Sequence, residues 1–275
     1  MDLMKVNQYI KEFETLIKNG EALDYEGELY TGVDLGTANI VLCVIDSKGR
    51  TVTGAMEKAS VVKDGVVVDY VGAIQIVRRL KEKLEKILGT ELIKAAAAIP
   101  PGVEEGSVNA IVNVVEACDF EVVRIVDEPT AAAKVLEVED GAVVDVGGGT
   151  TGISILKNGE VTFTIDEATG GHHMNLVVAG SYNLSYLEAE LLKHDASRTD
   201  VYRVVQPVVE KMAAIVKKNI IGKDVSTIYV VGGACSFDEF EKTFEKWIKI
   251  KTIKPYNPML VTPLGIALSC LGEVK

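Results

Sequence analysis

The stretch VVDVGGGTTGISI, Val143–Ile155, decides how this chain is read. An apolar run closes on Asp145, a glycine triplet follows at Gly147, Gly148 and Gly149, and a second β-rich run leaves from Thr150. Glycines at such a turn leave several backbone N–H groups uncovered, because no Cβ keeps an incoming oxygen away. The pattern is that of a hairpin able to hold phosphate with backbone donors alone. The plainer reading, in which Asp145 only caps its own turn through local hydrogen bonds, stands beside it.

Working outward, the same pattern occurs earlier in the chain. VDLGTANIVLCVIDSKG, starting at Val33, aligns Asp34 with Asp145, Gly36 with Gly147 and, after one gap, Gly49 with Gly159. A repeated hairpin implies two similar lobes with a cleft between them. Two glycine turns facing each other could grip one polyphosphate without adding net charge. Asp34 and Asp145 both end apolar strands, where a lone buried carboxylate costs several kcal/mol. A magnesium ion, which is commonly held by one or two carboxylates plus phosphates and water, would relieve that cost. A third strand-then-glycine signal, Gly232-Gly233 in IYVVGGACSF, suits the sugar or base of the same nucleotide.

The rest of the sequence fits this frame. Leu3, Val6, Ile10, Phe13 and Ile17 recur at helical spacing before Gly20, and Val71–Leu88 reads as a second amphipathic helix. Strands and helices then alternate, as in a largely parallel or mixed sheet covered by helices. Further helices are expected near 108–117, 184–193, 201–221 and 237–249, the last with Phe240, Phe244 and Trp247 on one face. The chain has 275 residues, 48% of them hydrophobic, with Lys+Arg 29 against Asp+Glu 40 and a net charge of -11. That balance argues against nucleic acid or an anionic membrane as a partner. No apolar run reaches the roughly 18 residues of a membrane span, and the start is amphipathic rather than signal-like, so a cytoplasmic protein is expected. Cys43, Cys118, Cys235 and Cys270 lack zinc spacing and read as buried thiols. Neighbouring side chains at His172 and His173 point apart, which disfavours a shared metal. Neither a Ser/His/Asp triad nor a catalytic Cys/His pair is evident.

Taken in order, GVDLGTANI, RIVDEPTAAA, VVDVGGGTTGISI, IYVVGGACSF and TPLGIAL resemble the nucleotide-site segments of the actin, sugar-kinase and heat-shock-chaperone ATPase superfamily. The match to DnaK-type chaperones is particularly close, and the resemblance runs from about Tyr30 to Leu271. It implies an α/β fold of two duplicated, actin-like (ribonuclease H-like) lobes, with mixed sheets flanked by helices and few subdomain insertions. The expected organisation is an N-terminal amphipathic helix over 1–27, lobe I over 28–139 plus 258–275, and lobe II over 140–257.

The resemblance also assigns roles by position. Asp34, Gly36 and Thr37 fall on the first phosphate hairpin, and Asp145, Gly147, Gly148, Gly149 and Thr150 on the second. Asp34 and Asp145 would organise magnesium and water, and Thr150 would touch the terminal phosphate of ATP or ADP. Glu128 would stand near the attacking water. Gly232, Gly233 and Ala234 fall on the adenosine segment, and Glu190 and Lys193 on the helix that contacts ribose and base. Two departures stand out. Gly152 occupies a position that is acidic in the DnaK pattern, and no lobe I lysine aligns, with Lys58 and Lys63 only loose candidates. A slow ATPase is therefore expected, opening and closing on nucleotide about connections near Pro129 and Gly265. It would assist a protein partner, an enzyme or a shell component of a microcompartment. The competing readings are a scaffold that uses little nucleotide and docks through its N-terminal helix, and, less favoured, a metabolite kinase.

Overall fold

The computed structural model describes residues 2–63, 65–195, 198 and 200–272. The chain opens with α1 (Leu3–Asn19), capped by the Asp2 carboxylate, which accepts from the Met4 and Lys5 amides, and stopped at Gly20. Its apolar face, Val6, Ile10, Phe13 and Leu16, is buried. Next come β1 (Leu29–Leu35), β2 (Asn39–Asp46), β3 (Thr51–Lys58), the short β4 (Val62–Lys63) and β5 (Val66–Val67), and α2 (Tyr70–Leu88). β6 (Lys94–Ile99), α3 (Glu105–Glu116), β7 (Glu121–Asp127) and α4 (Glu128–Leu136) complete the first half.

The second half holds β8 (Gly141–Val146), β9 (Thr151–Lys157), β10 (Glu160–Glu167), α5 (Gly171–Tyr182), α6 (Tyr186–Lys193) and α7 (Val201–Ile220). It continues with β11 (Thr227–Val231), α8 (Phe240–Ile248), β12 (Lys251–Ile253) and α9 (Val261–Ser269).

The duplication read from the sequence is present in the backbone. One five-stranded sheet has the order β3-β2-β1-β6-β7 and the other β10-β9-β8-β11-β12. In each sheet the first three strands of the half form an antiparallel meander and the last two add in parallel. Gly49 and Gly159 occupy matching turns at φ 76° and 78°, a left-handed conformation that glycine adopts without penalty. The molecule is thus a mixed α/β structure of two related sheets.

Between the sheets lie α4 and α9. A Cβ on Gly265 would collide with the Ala131 carbonyl, and one on Gly32 with the Ala267 amide, so α9 touches both α4 and β1 at backbone distance. This central core gathers Leu136, Leu264, Val41, Val143 and Val231 together with Ile10 and Phe13 of α1. The Phe13 ring lies directly over Gly54 of β3, where a Cβ would displace it. The N-terminal helix therefore packs into the molecule's own core. Separate clusters fill the outer side of each sheet: Leu42, Leu80 and Val114 in the first, Val144, Val209 and Phe244 in the second.

Sequence reading missed α5, whose residues carry no periodic apolar face, and placed the start of α8 too early. Phe240 and Phe244 of α8 are buried as expected, whereas Trp247 is 43% exposed. Among the described residues, no helix is long and apolar enough to cross a membrane, and the four cysteines are free thiols.

Candidate functional site

The β1–β2 pairing ends at Leu35 with Ile40, and the β8–β9 pairing ends at Val146 with Thr151. This leaves loops of equal length, 36–39 and 147–150. The Gly147 amide closes the second loop on the Thr150 carbonyl at 2.9 Å. The loops face each other: a Cβ on Gly148 would lie 3.1 Å from Thr37 Cβ and 3.3 Å from its Cγ2. The second loop is held from behind by the start of α5, where the Gly171 and His172 amides donate to the Gly147 and Gly148 carbonyls at 2.9 and 2.7 Å. A side chain on Gly170 would run into that loop's backbone, which accounts for the glycine pair.

Beneath the loops is a cavity of about 100 Å³ lined by Asp34, Glu128 and Asp145 together with Gly36, Thr37, Gly147, Gly148, Gly149, Thr150, Gly232 and Gly233. It opens, over shared residues 37–39, 148, 149 and 233, into a second cavity of about 460 Å³ that also reaches Glu190, Lys193 and Ala234. Every residue assigned above to phosphate, magnesium, water or nucleoside lines one or both of these spaces, as do His172 and Lys63, whereas His173 and Lys58 line neither.

Local structure explains how the carboxylates converge. Asp34 and Asp145 occupy matching positions, one residue before the end of their strands. Asp145 is 5% exposed, and its Oδ2 accepts from Thr262 Oγ1 at 2.5 Å. Gly232 takes φ 92° beside it, where a Cβ would strike Asp145 Oδ1 and the Val146 carbonyl. Glu128 opens α4, whose N-cap Asp127 accepts from the Thr130 amide at 3.0 Å. Burial, then the neighbouring Asp145, push the Asp34 carboxyl up to about 7. Burial raises Asp145 as well, against the lowering effect of the Thr262 bond. Glu128 is raised well above the usual carboxylate range by burial, then by Asp145 and Asp34. Three carboxyl groups thus line one pocket that disfavours their charged forms. Among the described residues there is no all-protein cage of three or more metal-ligating side chains. Asp34 and Asp145 are the residues that could hold a magnesium ion, which needs only one or two carboxylates and keeps several waters.

In the larger cavity, Lys193 Nζ approaches Gly171, 3.3 Å from where a Cβ would stand. Burial pulls its ammonium down to about 8, partly offset by Glu190. His172 Nδ1 and the Tyr186 hydroxyl are 3.1 Å apart, while the His172 and His173 rings meet edge to face with centroids 5.8 Å apart at 76°. Gly152, the departure from the DnaK pattern, fits its surroundings: a Cβ there would lie 2.9 Å from Pro129 Cγ and 3.2 Å from Pro101 Cδ, leaving no room for an acidic side chain. Sequence reasoning missed Thr262, Asn39, Met259 and Asn175, which line the two cavities. Thr262 sits in the quoted TPLGIAL segment, but only the fold shows that its hydroxyl meets Asp145.

Sheets of this order, joined by two helices and carrying opposed glycine hairpins over paired aspartates, define the actin and Hsp70 class of ATPase fold. An Hsp70 family profile matches residues 54–180, and one for the Type IV pilus assembly protein PilM matches residues 130–264. MreB5 of Spiroplasma citri, solved with AMPPNP, shares the fold at TM-score 0.69 and 18% identity, over 87% of this chain and 95% of its own. The ethanolamine utilization protein EutJ of Escherichia coli K12 is 41% identical over 89% of this chain and 87% of its own length. The crystal structure of EutJ from Carboxydothermus hydrogenoformans superposes at TM-score 0.92 with 48% identity, covering 98% of this chain and 99% of that one. The chain belongs to the EutJ family of ethanolamine utilization proteins.

Proposed function

We propose that this protein binds ATP or ADP with magnesium between its two hairpins and acts as a nucleotide-dependent, chaperone-like factor in ethanolamine utilization. The observation that carries the reading is the opposition of Thr37 and Gly148 directly above Asp34, Asp145 and Glu128. The loop amides of 36–39 and 147–150 would hold the phosphates. Thr150 would meet the terminal one, and Gly232, Gly233, Ala234, Glu190 and Lys193 would take the nucleoside. Asp34 and Asp145 would hold magnesium, which when bound supplies positive charge against the phosphates. Glu128, at the start of α4 in the same cavity as Asp34 and Asp145, would orient a water and accept its proton. With neutral Gly152 beside Pro129, and with Lys63 lining the larger cavity rather than the one over the aspartates, hydrolysis is slow.

The two lobes close on nucleotide about α4 and α9, and the closed form engages an ethanolamine-pathway enzyme or a shell protein of its microcompartment. Titration calorimetry with magnesium and ADP tests the reading. Wild type releases or absorbs heat with a single site, and Asp145→Ala loses at least about tenfold in affinity, the share of one charge-assisted contact. Absence of heat from both proteins would favour a scaffold that has kept the fold without the ligand.

A further inference from the structure

The search outside the nucleotide cleft turns up one strongly charged surface, on the outer face of the second lobe. Residues 201–254 hold ten Lys and Arg against six Asp and Glu, a net charge of +4 in a chain of -11, which leaves -15 for the remainder. Four of its six carboxylates already have partners within the protein. Glu241 pairs with Lys254 at 3.0 Å, Asp224 with Lys157 at 2.9 Å, Glu245 accepts from the Thr252 amide at 3.1 Å and Glu210 from Gln206 at 2.8 Å.

Three of the cations do not. Arg203 on α7 and Lys242 and Lys246 on α8 are exposed and form no ion pair among the described residues. All three line one groove of about 520 Å³ between the two helices, with Glu239 as its single carboxylate. The Tyr202 hydroxyl, which donates to the Glu239 carbonyl at 3.0 Å, and Thr243 complete its lining. A groove edged by three unpaired cations is complementary to carboxylates carried on a partner segment. The acidity of the rest of the molecule repels an extended polyanion such as DNA, while a short segment confined to the groove escapes that repulsion.

We propose that the α7–α8 groove is a docking site for an acidic, Asp- and Glu-rich segment of a partner protein, distinct from the nucleotide cleft. Anisotropy of fluorescein-labelled decaglutamate, measured with the full chain at about 0.01 M ionic strength and again at about 1 M, tests it. Wild type binds at low salt and releases at high salt. Lys242→Glu with Lys246→Glu weakens binding by at least about tenfold, whereas the same charge change on α2, Lys83→Glu with Lys86→Glu, alters it less than about twofold. Asp145→Ala binds the peptide like wild type, which separates this site from the proposed nucleotide site. Equal losses in the two double variants, or an oligothymidine binding as tightly as the peptide, would overturn the proposal.

Discussion

At the scale of single residues, the site is organised around carboxyl groups held where charge is unfavourable. Asp34, pushed up to about 7 by burial and by Asp145, binds a proton in the folded protein at pH values where the unfolded chain has already released it. The native state therefore holds more protons between about pH 4 and 7, so the penalty on stability is absent below that window and complete above it. Removing the charge should help most where it costs most. Asp34→Asn is expected to raise the apo-protein's melting temperature at pH 8 by about 2 °C or more, and to leave it unchanged near pH 4, as scanning calorimetry would show. The same variant should lose magnesium-dependent nucleotide binding. An equal shift at both pH values would mean that Asp34 is ionised in an unstrained setting.

At the scale of elements, the hairpins were legible because their signal is local. A strand, an aspartate and a run of glycines occupy consecutive positions, and the chain repeats the set at Asp34 and Asp145. Helices α1, α2 and α7 were legible by their one-sided apolar spacing. α5 was not, since its buried residues Gly171, Met174, Asn175 and Val178 include a glycine and an amide and its outer face keeps Leu176 and Val177 exposed. Thr262 was illegible for a different reason: 117 positions separate it from Asp145, and only the approach of α9 to β8 makes the bond. For α1 two uses were conceivable, and the burial of Phe13 over Gly54 favours packing. Phe13→Ala should then destabilise the whole protein by about 3–5 kcal/mol in urea unfolding, as for a fully buried aromatic. A cost under about 1 kcal/mol would instead mark α1 as a detachable arm.

At the scale of the molecule, two sheets of one topology clasp α4 and α9, and this arrangement brings hairpins 111 positions apart, Asp34 to Asp145, into contact. The EutJ relationship fixes the family, and the opposed loops carry the proposal that phosphate is bound between them. The cavities descend from the wide space beside Glu190 and Lys193 to the narrow one above the aspartates, matching a nucleoside above and phosphates below. The most direct test is a crystal structure of the protein grown with magnesium and AMPPNP. The account predicts phosphate oxygens bonded to amides of both 36–39 and 147–150, with the cation facing Asp34 and Asp145. Nucleotide bound elsewhere, or the two loops still in mutual contact with no phosphate between them, would contradict it.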